Sequence, residues 1–200
     1  MTDAINRIAA ALEESRFVEM EASGRHVHLT EAAAMTLFGH GLTNKLPLSQ
    51  PGQYVCVERV TLQGTKGAIE RVAVLGPARK ENQVELSLTD AVTLGIKVPV
   101  RLSGDMTDAA QVTVIGEQGQ LTCGAIAAKR HIHLRPQDAE RYGVSHCKTL
   151  RIQAFTDRPV IFDDVAVRIS NDFAPRVHLD FDEANACHFK KGDLGLILRG

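Results

Sequence analysis

Gly24-Arg25-His26-Val27-His28-Leu29-Thr30 returns 105 positions later as Lys129-Arg130-His131-Ile132-His133-Leu134-Arg135. A repeat at that spacing marks two related structural units in one chain. In an extended strand alternate side chains share a face. His26 and His28 therefore point one way, as do His131 and His133, while Val27, Leu29, Ile132 and Leu134 pack behind them. Each copy runs into a short helix. In the first, Thr30 is the N-cap of a helix over Glu31 to Phe38, stopped by Gly39 and Gly41. In the second, Pro136 suits the first helical position, Gln137 to Tyr142 continue, and Gly143 ends the helix.

Short runs rich in Val, Ile and Thr follow each helix, divided by Gly, Pro and polar turns. The first set is Tyr54 to Leu62, Ile69 to Leu75, Val84 to Leu88, Val98 to Leu102 and Gln111 to Ile115. The second is Thr149 to Phe155, Val160 to Phe162, Val165 to Ile169, Arg176 to Asp180 and Leu194 to Leu198. Strands this short and evenly divided favour barrels over a doubly wound parallel sheet. The expected fold is mainly β with short α-helices: two similar β-barrel domains related by the internal repeat. The first domain spans residues 25–129. Residues 1–24 and 130–200 form an N-terminal helix plus the second domain. That helix, Asp3 to Glu14, carries Ile5, Ile8 and Leu12 at helical spacing, an apolar stripe that docks on this protein's own body or on a partner.

Composition excludes several functions. The 23 Lys and Arg nearly cancel the 24 Asp and Glu, so no global field attracts a nucleic-acid backbone or an anionic membrane. Tryptophan is absent and aromatics are scarce, which argues against stacking platforms for single-stranded nucleic acid. No apolar run reaches the roughly 20 residues of a membrane span, and the N-terminus lacks the apolar segment of a secretory signal. A reducing compartment is expected. The four cysteines, Cys56, Cys123, Cys147 and Cys187, form no Cys-x-x-Cys pair and read as inert thiols.

Two imidazoles on one strand face form a metal-binding geometry, and neutral imidazole is a good zinc ligand. One such pair is a weak signal. Two copies among only eight histidines favour a metal over a polar strand surface. His178 lies in an alternating strand with Arg176 and Asp180; spacing leaves open whether it joins His131 and His133. His40, His146 and His188 read as solvated, and Cys187 beside His188 has no visible orienting partner for nucleophilic chemistry. A second constellation runs from Gly76 to Ser87: a turn carrying Arg79 and Lys80, then a strand on which Gln83, Glu85 and Ser87 share a face. A guanidinium beside an ammonium suits a phosphate, the first as a bidentate fork and the second as a point charge.

Arg25-His26-Val27-His28-Leu29, Leu48 to Gln53, Leu75-Gly76-Pro77 with Arg79-Lys80, Gln83-Val84-Glu85, Ser103-Gly104-Asp105, Ala128 to Leu134 and Asp182 to Ala186 occur in one order. Together they resemble the PduL-type phosphotransacylases. The resemblance covers about Ser23 to Ala186 and departs at Ser23-Gly24, where many members carry a Ser-Asn pair. It implies two β-barrel domains capped by short helices, with a two-zinc site between them. It also implies that His26, His28 and Glu85 bind one zinc and His131, His133 and His178 the other. Arg79 becomes the catalytic residue that holds phosphate, with Ser103 nearby.

The implied activity is a phosphate acyltransferase that converts propanoyl- or acetyl-CoA and inorganic phosphate to acyl phosphate and coenzyme A. The implied setting is the cytoplasm, inside a bacterial microcompartment that degrades small alcohols or amines. Its shell or core proteins are candidate partners through the N-terminal helix, and a homo-oligomer is expected. The residues themselves leave two other readings open. A two-zinc metallohydrolase would use the same ligands on an ester or phosphoester. A non-catalytic module would use its histidines for folding.

Overall fold

The computed structural model describes residues 4–6 and 15–198. Residues 4–6 are helical, and the rest of the expected N-terminal helix lies outside the described residues. The chain is mostly β and divides into two compact units, one of Ala22–Arg130 with Leu179–Asn185, the other of Met1–Glu21, His131–His178 and Ala186–Gly200. Each carries a closed barrel of six strands.

In the 22–130 unit the first histidine strand, β2 (His26–His28), leads through helix α1 (Glu31–Phe38) and edge strand β3 (Asn44–Pro47) to β4 (Tyr54–Gln63) and β5 (Ala68–Gly76). Then come β6 (Gln83–Leu86), helix α2 (Leu88–Leu94), β7 (Val100–Arg101), β8 (Ala110–Ile115) and β9 (Gln120–Ala128). Pairing runs β4-β5-β2-β6-β9, and β8 bonds both β9 and β4 to close the ring, leaving β3 and β7 outside it. Alternation decides the inside: Val27, Val60, Leu62, Val72, Val74, Val84, Val112 and Val114 pack into one core with Leu37 and Phe38 of α1.

The other barrel repeats the plan with β10 (His131–Leu134), helix α3 (Pro136–Tyr142), β11 (Thr149–Phe155), β12 (Ile161–Ile169) and β13 (Arg176–Leu179). After helix α4 (Phe181–Ala186), β14 (Leu194–Leu198) follows. The sixth strand comes from the start of the chain: β1 (Phe17–Ala22) lies between β13 and β14. The repeat thus crosses over. The strand that runs into β2 closes the barrel of β10, and β9, which runs into β10, closes the barrel of β2.

Local chemistry sets the helix ends as the spacing predicts. The Thr30 hydroxyl accepts from Ala33 N at 3.1 Å, and Gly39 ends α1 at φ 75°. Pro136 opens α3, where Arg135 makes no side-chain cap, and Gly143 ends it at φ 70°. Both glycines occupy the left-handed region that a side chain disfavours.

Several boundaries differ from expectation. The expected strand Val84 to Leu88 stops at Leu86, because Ser87 and Asp90 form a capping box that starts α2. Val160 to Phe162 and Val165 to Ile169 are one strand, β12. Asp164 sits there at φ 51°, and the pairing with β11 shifts register at that level. Arg71 does the same in β5 at φ 57°. A residue in this conformation bends a strand without ending it, as a tightly curved barrel needs. Strand β9 carries no β-branched run: Gly124, Ala125, Ala127 and Ala128 have low strand propensity, and pairing with β6, β7 and β8 imposes the conformation.

Candidate metal centres and the basic turn

Strand β2 is sandwiched between β5 and β6, and the antiparallel register with β6 sets His26 opposite Glu85 and His28 opposite Gln83. All four side chains are buried. Nε2 of His26 lies 3.1 Å from Nε2 of His28, and the Glu85 carboxylate oxygens lie 3.6 Å from each. A tetrahedral zinc with ligands at about 2.0–2.1 Å needs donor atoms about 3.3 Å apart, so this triangle fits one ion. The tautomer fits as well. His26 Nδ1 donates to the Gly24 carbonyl at 2.8 Å, which leaves its Nε2 with a lone pair. Gly24 itself is covered by the Phe181 ring, which a Cβ at that position would meet at 2.5 Å.

Strand β10 holds the same place in its own barrel, between β12 and β13, with His131 opposite His178 and His133 opposite Arg176. His178 thus stands in the second unit where Glu85 stands in the first. The three rings gather with centroids 4.7 to 4.9 Å apart, and Phe173 stacks on His133 at 4.0 Å. Both ring nitrogens of His133 are buried without a hydrogen-bond partner, as is His28 Nδ1. Buried nitrogens of this kind are costly unless something coordinates them. In each trio the donor atoms lie within 4.8 Å of one another.

Electrostatics favours neutral donors at two positions. Burial drives the His28 imidazole down to about 4 against the pull of Glu85. Burial, helped by His131 and Arg168, drives His133 down to about 3. Burial also opposes charge on Glu85, yet His26 outweighs it and holds this carboxyl well below the usual carboxylate range. His26 is raised: burial works against its protonation, and the charge of Glu85 prevails.

The basic turn is wired to the first trio. Arg79 Nη1 donates to Ser103 Oγ at 3.0 Å, and Gln83 Nε2 donates both to Ser103 Oγ at 3.1 Å and to Glu85 Oε1 at 2.6 Å. Gln83 Oε1 accepts from Gly104 N at 2.8 Å, so the amide has one orientation. The backbone helps: Arg79 N donates to the Leu29 carbonyl at 2.8 Å, and Asn82 Oδ1 accepts from Thr30 N at 2.8 Å. The turn is thereby tied to the end of the histidine strand. Lys80 is exposed.

Not every candidate joins these groups. His40, His146 and His188 are exposed and belong to neither trio. No cysteine belongs to one either. Sequence reasoning placed Gln83 on the face of Glu85 without seeing its role between Glu85 and Ser103, and it gave no part to Phe173, whose loop position carries no periodic signal.

Two donor groups at matching register positions of two barrels, one joined to a guanidinium turn, define a double-barrel protein with candidate metal centres. Comparison with known sequences places it more closely. The chain belongs to the phosphate propanoyltransferase family, whose sequence model matches residues 19–190. A phosphate propanoyltransferase of Listeria monocytogenes is 53% identical over 91% of this chain and 87% of its own length. One of Clostridioides difficile is 44% identical over 100% of this chain and 97% of its own. One of Thermotoga maritima is 51% identical over 88% and 86%. No helix among the described residues is long and apolar enough to cross a membrane.

Proposed function

We propose that this chain exchanges a propanoyl or acetyl group between coenzyme A and inorganic phosphate, giving acyl phosphate and free coenzyme A. The observation that carries the reading is the hydrogen-bonded path from Arg79 through Ser103 and Gln83 to Glu85, which couples an anion-binding turn to a donor trio. Family membership and the names of its relatives support the same reaction. We read His26, His28 and Glu85 as ligands of one zinc and His131, His133 and His178 as ligands of a second. When bound, zinc supplies a Lewis acid suited to a thioester carbonyl oxygen and to the soft sulfur of the leaving group.

The residues divide the remaining work. Arg79 holds the phosphate, and its guanidinium lowers the cost of bringing this anion to the carbonyl carbon. Ser103 Oγ already accepts from Arg79 and Gln83, so its own hydrogen is left to donate to a phosphate oxygen. A phosphate oxygen attacks the thioester carbon, the carbon–sulfur bond breaks, and the sulfur leaves with the electron pair. No acyl-enzyme is needed. Burial pushes the Cys56 thiol up to about 11 and the Cys123 thiol up to about 12, which makes both poor nucleophiles at neutral pH.

We take residues 25–129 as the first domain and residues 1–24 with 130–200 as the second. On the family resemblance we also place the enzyme in the cytoplasm, inside a bacterial microcompartment, and we take a homo-oligomer as the commonest assembly of such chains. The N-terminal segment would meet its shell or core proteins. The test is thiol release from propanoyl-, acetyl- and butanoyl-CoA with and without phosphate. Release should require phosphate and yield acyl phosphate. Equal release without phosphate would identify a hydrolase and overturn the reading.

A further inference from the structure

The arginine that precedes each histidine pair has no part in the mechanism above, yet it is repeated with its pair. Arg25 Nε lies 2.9 Å from Asp90 Oδ1, an ion pair by proximity whose N–H is not aligned as a hydrogen bond. Asp90 closes the capping box of α2: Ser87 N donates to its Oδ2 at 3.2 Å, and Asp90 N donates to Ser87 Oγ at 3.2 Å. Ser87 stands two residues after Glu85. One guanidinium thus ties the residue before the first donor to the helix that follows the third.

The second copy keeps this arrangement with different side chains. Arg130 Nη1 lies 2.6 Å from Glu183 Oε1. Glu183 closes a capping box with Asp180: Asp180 N donates to Glu183 Oε2 at 3.2 Å, and Glu183 N donates to Asp180 Oδ1 at 2.8 Å. Asp180 stands two residues after His178. Cap, acid and third donor have all changed identity between the copies, from Ser, Asp and Glu to Asp, Glu and His. The arginine and the connection have not.

Resting on the reading of the two trios as metal sites, we propose that Arg25 and Arg130 are positioning residues, each an ion-pair clasp that holds its donor strands in register. The physical need is plain. Strand β2 is three residues long and β10 four, so few ladder bonds define their alignment. A slip of one residue turns both histidines to the opposite face. A clasp just outside the pair, anchored on a capped helix, resists that slip at little cost, since Asp90 is already ordered by its cap.

Cobalt(II) titration of the metal-free full-length chain, read by its visible absorption band, tests this site by site. In a His133→Ala background, which leaves the first trio, Arg25→Gln should weaken cobalt binding about tenfold, the scale of an outer-shell loss. In a His28→Ala background, which leaves the second, Arg25→Gln should change nothing and Arg130→Gln should weaken binding by a similar factor. Asp90→Asn guards against a folding defect at Arg25, because it keeps an acceptor for Ser87 N while removing the charge; it should match Arg25→Gln. Unchanged affinities, or equal weakening in both backgrounds, would overturn the clasp. If the unsubstituted chain takes up no cobalt, the metal reading fails and the clasp falls with it.

Discussion

Arg79 and Lys80 are neighbours with the same charge, and their side chains have different surroundings. Arg79 is half-buried and directed at Ser103, whereas Lys80 is exposed. Under the proposed reaction Arg79→Lys keeps the charge and loses the planar fork, so turnover should fall by about two orders of magnitude. Lys80→Ala should mainly raise KM for phosphate. Steady-state kinetics with phosphate varied at saturating acyl-CoA separates the two. Thiol chemistry gives a second check at this scale. Cys56, Cys123 and Cys187 are buried and Cys147 is half-buried. In the native chain at pH 8 one thiol, Cys147, should react readily with an aromatic disulfide reagent, and the other three only on unfolding. Peptide mapping identifies the labelled residue.

The hairpin of β3 and β4 shows how a single side chain anchors an element. All four residues of β3 are exposed, and its pairing with β4 shifts register between Asn44 and Leu46. Glu58 of β4 compensates: its two oxygens each accept from Thr43 N at 3.1 Å, just before β3. Burial opposes the Glu58 charge, but the bonds from Thr43 outweigh it and lower its pKa. A depressed carboxyl contributes stability above its unfolded value of about 4.3 and loses it as pH falls through the lower folded value. Glu58→Gln should therefore cost about 1.5 kcal/mol at pH 7. That difference should shrink below about pH 4, as urea unfolding of both proteins across pH 3 to 7 would record. The bends at Arg71 and Asp164 belong to this scale too. Neither looks like a strand residue in isolation, which is why sequence pattern divides β12 in two.

At the scale of the molecule, the metal sites proposed for the two trios would link folding to metal. A ligand that binds only the folded chain stabilises it, by about 2.7 kcal/mol per site at a hundredfold excess over Kd. Chelator-treated protein should melt at a higher temperature when zinc is restored and show no such rise with magnesium, since nitrogen donors suit zinc and not a hard oxygen-seeking ion. Combining His28→Ala with His131→Ala should abolish the zinc effect. Calorimetry of the chelated protein alone, with zinc and with magnesium, and of the double variant without and with zinc decides it, and an equal response to magnesium would count against imidazole coordination.

The repeat, the strand parity that puts His26 with His28 and His131 with His133, and the helix ends at Thr30, Gly39, Pro136 and Gly143 were all legible in the sequence. The repeat shows as likeness between segments 105 positions apart, while the parity and the helix ends depend on residues a few positions apart, where backbone geometry and local hydrogen bonding act alone. Tertiary structure decided which distant residues meet. Register between β2 and β6 sets Glu85 against His26, and that between β10 and β13 sets His178 against His131. Each barrel is closed by the strand that precedes the other barrel's histidine strand in the chain, and Ser103 comes to Arg79 across 24 positions. No periodicity encodes such pairings. They follow from an arrangement that buries both sets of apolar faces while pairing the backbone groups of the strands among the described residues.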